Sequence, residues 1–287
     1  MVAKILDGNA IAKKVFETAK SHVNKLKEYG INPKLIVIQV GSDPASTIYT
    51  QKKHDACASV GIISEVIRLP ESISEQELLN QINDLNKDQK VHGILVQLPL
   101  PKQIKESKII EAILPEKDVD GFHPINQGKN LLHLDALRPA TPKGIMRLLN
   151  ETNQKLEGLN AVVIGRSHIV GKPLAIMLLN AGCTVTICHS KTKNLRSHLL
   201  KADLIVSAVG KPKLVKASMV KKNAIVIDVG ISKDKNGKVC GDVDFEKVKK
   251  KASWITPVPG GVGPMTIASL IENTIKACQD QNLYSLK

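Results

Sequence analysis

Residues 165–173 (GRSHIVGKP) lie between two apolar runs, 161–164 and 174–179. That order reads strand, glycine turn, helix, the repeating unit of open α/β sheets. Gly165 lets the chain turn sharply, Gly171 allows close packing, and Pro173 suits a first helical turn. The first N–H groups of such a helix lack intrahelical partners, so the place can hold a dinucleotide's phosphates. The spacing is not GxGxxG, because Ser167 stands where the second glycine would be. An ordinary βα turn with two glycines would look the same, so the next strand matters. Residues 184–188 (TVTIC) form it, ending in His189, Ser190 and Lys191. Folds that bind NAD place an Asp or Glu there, about 20 residues past the turn, against the ribose 2′-OH. Here no acid is present. Ser190 can hydrogen-bond, Lys191 and Lys193 add charge, and Arg166 projects from the turn. A guanidinium matches a phosphate bidentately, so the set favours a 2′-phosphate and hence NADP. Lys193 reads better as a solvated surface charge.

The rest of the chain follows the same alternation. Asp7 can cap a helix whose apolar face is Ile11, Val15, Ala19, Val23 and Leu26, ended by Gly30. Residues 34–40 (KLIVIQV) read as a buried strand. Asp43-Pro44 starts a helix that passes Cys57 and ends near Gly61, and 62–69 is strand-like. Ser74 with Glu77 forms a capping box, and 91–98 (VHGILVQL) is a strand stopped by Pro99 and Pro101. A turn-rich loop spans 115–130, and Thr141-Pro142 opens a helix to Leu149. Further strands are expected at 161–164, 184–188, 203–207, 224–229 and 254–256. A turn at 233–238, a glycine-rich loop at 259–264 and a closing helix at 266–279 complete the reading. The closing helix can pack back onto the first domain. Short apolar strands alternating with helices predict parallel sheet covered on both faces.

With 287 residues the chain is long enough for two domains, and the crossover falls at about 139–142. The expected division is 1–140 plus 267–287 against 141–266. No apolar run reaches the roughly 18 residues of a membrane span, and MVAKILDGNA lacks the apolar core of a secretory signal. The five cysteines are scattered without CxxC spacing and read as reduced cytoplasmic thiols, with neither a disulfide framework nor a metal site. Most of the net charge of +14 reads as a generally basic composition spread along the chain, and an attractive field for polyanionic small molecules fits as well. Nucleic acid is disfavoured: aromatic content is only 2%, so stacking platforms are scarce, and no nucleic-acid-binding motif stands out.

In the first half, Tyr49 and Lys53 are four apart and share one helix face. Gln97 ends a strand, where open parallel sheets bind their ligands, and Asp118 and Asp120 occupy a nearby loop. A lysine transfers protons near neutrality only when desolvated or set near positive charge. Alone, each residue has a plain alternative: Lys53 a surface charge, Tyr49 a packing residue, Asp120 a turn former before Gly121.

Seven segments in one order remove that ambiguity: VGSDPASTIYTQKK (40–53), VHGILVQLPLP (91–101), PEKDVDGFHPIN (115–126), TPKG (141–144), GRSHIVGKP (165–173), CHSKT (188–192) and TPVPGGVGPMT (256–266). Over nearly its whole length the chain resembles the bifunctional methylenetetrahydrofolate dehydrogenase/methenyltetrahydrofolate cyclohydrolase family, the FolD type. The resemblance implies an N-terminal α/β substrate domain and a C-terminal Rossmann-like NADP domain with a cleft between them. It implies NADP-dependent oxidation of 5,10-methylenetetrahydrofolate, then hydrolysis to 10-formyltetrahydrofolate. Lys53 matches the family's catalytic lysine, supported by Gln97; Tyr49 matches the aromatic residue at the folate ring, and Asp120 the carboxylate that holds the pterin. Leu98, Pro99, Gly260, Gly261 and Pro264 fall at substrate-lining positions. Gly165, Arg166, Ser167, Ser190, Ile231 and Thr141 fall at cofactor contacts. No metal is implied, and a cytoplasmic homodimer is. One departure concerns the family's common second lysine, two residues past the catalytic one: this chain has His54 and Asp55 there, which leaves a single-activity member open and could alter the charge around Lys53. Another NADP-dependent two-domain dehydrogenase, of the shikimate or amino-acid type, would share the second domain without requiring Tyr49, Lys53, Gln97 and Asp120 together.

Overall fold

The computed structural model describes residues 2–235 and 237–282. Among these, the strands run β1 (Lys4–Ile5), β2 (Lys34–Val40), β3 (Ile63–Leu69), β4 (Gly93–Val96), β5 (Asn160–Ile164), β6 (Thr184–Cys188), β7 (Leu204–Ser207), β8 (Ile225–Asp228), β9 (Ser232–Lys233), β10 (Val239–Cys240) and β11 (Trp254–Ile255). The chain divides into two compact units. One holds 13–129, 134–140 and the chain from 267 on; the other holds the residues up to Ala12, 130–133 and 141–266.

The first of these, the substrate unit, is built on a parallel three-stranded sheet in the order β3-β2-β4, with Val37 opposite both Val66 and Leu95. Central β2 is buried on both faces past Lys34, which is why the sequence from Leu35 to Val40 is apolar but for Gln39. Leu35 and Val37 pack with Ala19, Val23 and Leu26 of helix Gly8–Glu28 and with Leu270, Ile271 and Ile275 of helix Val262–Gln281. Ile36, Ile38 and Val40 pack on the other face with Leu78 and Ile82 of helix Glu75–Lys87 and with Ile109. Local signals fix the helix ends. Asp7 accepts the N–H groups of Asn9 and Ala10, and Asp43 accepts that of Ser46 at 2.8 Å with Pro44 next in line. Ser74 and Glu77 close a reciprocal capping box, and Gly61 ends helix Pro44–Val60 in the left-handed region at φ 85°. Each such cap contributes about 1 kcal/mol.

Two expectations change here. The strand expected over 91–98 contracts to Gly93–Val96, because the ladder closes with the Gln97 N–H to the Ile38 carbonyl and Pro99 has no N–H. The loop expected over 115–130 contains a helix, Pro124–Leu131. Its turn-forming residues are the helix's own N-terminal apparatus: Asp118 accepts the N–H groups of Phe122 and His123 and the Asn126 amide.

The other unit, the nucleotide unit of the sequence expectation, carries a six-stranded, all-parallel sheet in the order β1-β11-β8-β7-β5-β6. From β5 the chain goes outward to β6 and then crosses to β7 on the other side, so the order reverses between β5 and β7. An antiparallel pair, β9 and β10, follows β8; Asn236, within the turn expected at 233–238, lies outside the described residues. The expected domain division differs from this at two places. Residues 2–12 belong here because β1 pairs with β11, Lys4 opposite Trp254 and Ile5 opposite Ile255. Residues 130–133 belong here because the Asn130 amide donates to the Pro173 carbonyl and the Asn180 amide donates to that of Asn130. The closing helix starts at Val262, four residues earlier than expected, so Pro264 lies in its first turn. Among the described residues no helix is long and apolar enough to cross a membrane.

Candidate active site

Helix Pro44–Val60 turns one row inward: Ser46, Thr50, Lys53, Cys57 and Val60 are its buried residues. Lys53 is only 6% exposed, and its Nζ donates to Gln97 Oε1 at 3.0 Å. Gln97 Nε2 donates to the Leu98 carbonyl at 2.8 Å, which fixes the orientation of the amide and leaves Oε1 as the acceptor facing Lys53. Burial pushes the Lys53 amine below the ordinary lysine range, against the opposing pull of Asp120 and, behind it, Cys57. Asp120 is held above the usual carboxylate range by desolvation, which the Lys53 charge partly offsets and the Asp118 charge adds to. A cavity of about 20 Å³, lined by Ile94, Val96, Leu98 and Phe122, abuts Asp120 and supplies apolar surroundings. Tyr49, one turn before Lys53, is half-buried, and burial raises its phenol further. Leu98 is half-buried and Pro99 exposed just past Gln97. Thus Lys53, Gln97 and Asp120 are brought together, with Tyr49 on the same helix.

Asp55 is exposed and accepts from the Gln51 amide at 2.7 Å, and the carboxylate that opposes the effect of burial on Lys53 is Asp120. The segment 115–121 also divides its labour in a way the sequence did not disclose. Lys117 Nζ donates to the carbonyls of Leu85, Asn86 and Asp88, capping helix Glu75–Lys87; Asp118 holds the turn that leads into Pro124–Leu131, where His123 Nδ1 accepts the Ile125 N–H; Asp120 faces Lys53. A charged residue spaced to satisfy a helix end distant in sequence leaves no local signature.

In the nucleotide unit, Gly165 has φ 123°, and a Cβ there would come within 2.6 Å of the Ala208 carbonyl. Only glycine fits that crossing of the β5 and β7 ends. A Cβ on Gly171 would overlap the Gly165 carbonyl. At the helix N-terminus expected to hold phosphates, Ser167 takes the first N–H groups. The N–H groups of Val170 and Gly171 go to Ser167 Oγ, that of Lys172 goes to the Ser167 carbonyl, and Pro173 has none. With two N–H groups donating to its oxygen, the Ser167 hydroxyl keeps its own proton to give to a ligand. Arg166, Ser167, Ser190 and Lys191 are all exposed around this turn, and Lys191 N–H is fixed on His189 Nδ1. This donor set suits a phosphorylated dinucleotide. Ile231 is 55% exposed after β8, and Thr141 Oγ1 lies 3.0 Å from Thr266 Oγ1. Gly260, Gly261 and Pro264 belong to this unit, and Gly260 takes φ 101°.

Residues 6–120 match the tetrahydrofolate dehydrogenase/cyclohydrolase catalytic domain, and residues 139–282 match its NAD(P)-binding domain. The chain belongs to this family. It is 57% identical over 277 residues to the bifunctional protein FolD of Staphylococcus epidermidis, covering 96% of this chain and 97% of that one. The bifunctional FolD structure from Campylobacter jejuni superposes with a TM-score of 0.96 at 53% identity, covering 97% of this chain and 99% of that one. A Trypanosoma brucei FolD, solved with NADP cofactor and an inhibitor, has a TM-score of 0.94 at 34% identity, covering 98% of each chain. Both family domains and near-complete coverage make this chain a bifunctional methylenetetrahydrofolate dehydrogenase and methenyltetrahydrofolate cyclohydrolase.

Proposed function

We propose that Lys53 is the proton-transfer residue of this FolD enzyme and that its buried bond to Gln97 carries the assignment. The enzyme oxidises 5,10-methylenetetrahydrofolate to the methenyl cation and hydrolyses that cation to 10-formyltetrahydrofolate. NADP is the cofactor, and when bound it accepts the hydride at its nicotinamide C4. Arg166, Ser190 and Lys191 would hold its 2′-phosphate, the Ser167 hydroxyl would donate to the phosphates, and Gly165, Ile231 and Thr141 would line the remainder. On the substrate side, Asp120 would accept from the pterin's amino and ring N–H groups, and Tyr49 would stack near the folate ring. Leu98 and Pro99 would supply its walls within the same unit.

In the hydrolytic step, water adds to the cationic carbon and loses a proton before the five-membered ring opens. A neutral amine can take that proton. Burial and the approach of a cationic substrate both favour the neutral form of Lys53, while Gln97 holds Nζ in place. The chain would act as a cytoplasmic homodimer associating through the nucleotide unit, a reading that sedimentation would check. The experiment for the function is an absorbance time course with methylenetetrahydrofolate and NADP+, following NADPH appearance and methenyl decay together. The parent should show both, and Lys53→Met should let methenyl product accumulate without hydrolysis. Wild-type hydrolysis in that variant would remove Lys53 from the mechanism.

A further inference from the structure

Asp228 and Asp242 are carboxylates buried in the nucleotide unit, 3% and 0% exposed, and neither falls among the residues considered above. Asp228 closes β8 and accepts the N–H groups of Gly230, Asp242 and Val243 at 2.9–3.0 Å. Asp242 accepts the Ser207 hydroxyl at 2.8 Å, the Val209 N–H at 2.9 Å and the Lys211 N–H at 2.7 Å. The Asp228 N–H goes to the Thr256 hydroxyl at 2.7 Å, just past β11. Two glycines make room for this. A Cβ on Gly230 would overlap the Asp242 carboxylate, and one on Gly241 would overlap the Asp228 carboxylate. The segments 228–230 and 241–242 therefore interlock, each glycine lying under the other segment's acid.

What they hold is the carboxyl-end rim beyond β7 and β8, beside the β5–β7 reversal of strand order, and open parallel sheets bind ligands at such rims. Ala208 and Val209, which follow β7, are the groups against which Gly165 packs. Ile231 follows Gly230 directly, and the Ser232 hydroxyl donates to the Gly210 carbonyl at 2.9 Å, tying the two rims together. Burial and the neighbouring Asp242 charge push Asp228 up to about 6, so at neutral pH it is ionised and acts purely as an acceptor. An unpaired buried carboxylate is a costly way merely to fill a core, whereas a ring of N–H groups converging on it fixes loop geometry.

We propose that Asp228 and Asp242 are positioning residues for the nucleotide, setting the rims 208–211 and 229–231 in the arrangement that NADP requires. This rests on the reading that this unit binds NADP. The test uses the full-length enzyme and two variants. Asp242→Asn keeps the size but turns an amide donor toward N–H groups. Ser207→Ala removes one donor and leaves the carboxylate intact. Calorimetric NADP+ affinity and both activities are measured for each. Asp242→Asn should weaken NADP+ binding and raise its KM about tenfold. Its dehydrogenase kcat at saturating NADP+ should fall less than threefold, and methenyl hydrolysis should stay within twofold of the parent. Ser207→Ala should weaken NADP+ binding about threefold with the same split. Unchanged NADP+ affinity in both variants would overturn the proposal, as would equal loss of both activities in Asp242→Asn with Ser207→Ala unaffected. A parent enzyme without saturable NADP+ binding would instead refute the underlying cofactor reading.

Discussion

A lysine side chain 6% exposed has lost most of the water that stabilises an ammonium ion, and Asp120 is the group that pulls it back toward protonation. The two influences oppose, which is how a strong base is brought toward neutrality without being silenced. Asp120→Asn keeps the shape and removes the charge, so its effect on Lys53 has a definite sign. A carboxylate beside an amine favours the charged amine; deleting it favours the neutral one. The rising limb of methenyl hydrolysis against pH should therefore move to lower pH. Folate KM should rise in the same variant, since Asp120 is also the proposed pterin acceptor. A pH–rate profile measured on substrate-saturated enzyme decides it, and a limb that stays in place or moves alkaline contradicts the coupling. At this scale the sequence revealed residue types but not their partners. Tyr49 and Lys53 share a face by spacing alone, but the Gln97 amide that holds Lys53 comes from 44 residues away.

The elements that position these residues depend on caps of two kinds. Local caps, such as Asp7, Asp43, Ser74 with Glu77, and Gly61, were legible because capping is a matter of spacing within one turn. Distant caps were not. Lys117 satisfies three carbonyls at the end of helix Glu75–Lys87, 29 to 32 residues back along the chain. Lys117→Met keeps the buried stem and removes the donor. Leaving those carbonyls without a partner should lower unfolding free energy by about 2–3 kcal/mol, seen as an earlier urea midpoint with the slope unchanged. Turnover per folded molecule should persist, because Lys117 touches none of the residues assigned to chemistry. A midpoint within error of the parent would mean that water replaces the ammonium without cost. Similar reasons account for the misread elements. Helix Pro124–Leu131 hid among turn residues because they form its own start, and β1 is only two residues long, its pairing with β11 spanning most of the chain.

For the whole molecule, strand–helix alternation was enough to predict parallel sheets, yet not the unit boundary, since Lys4 and Ile5 join their sheet through contacts no local pattern encodes. The net charge of +14 is likewise a property of the entire chain. Surface ion pairs such as Lys34 with Glu65, or Lys276 with Asp135 and Asp280, each neutralise only a local charge and contribute little to stability. The excess leaves a positive field that speeds the approach of anions. Folates bearing polyglutamate tails are the more highly charged anionic form of this enzyme's own substrate, so the field should favour them over monoglutamates. The advantage should be kinetic and screened. With a Debye length of about 10 Å at 0.1 M salt and about 3 Å at 1 M, the polyglutamate preference in kcat/KM should shrink several-fold across that range. The monoglutamate value should change much less, and kcat for both should hold steady, because the chemistry is carried by buried groups. Steady-state rates for both substrates over a salt series test this. A preference that survives 1 M salt would point instead to a built tail site with short-range contacts.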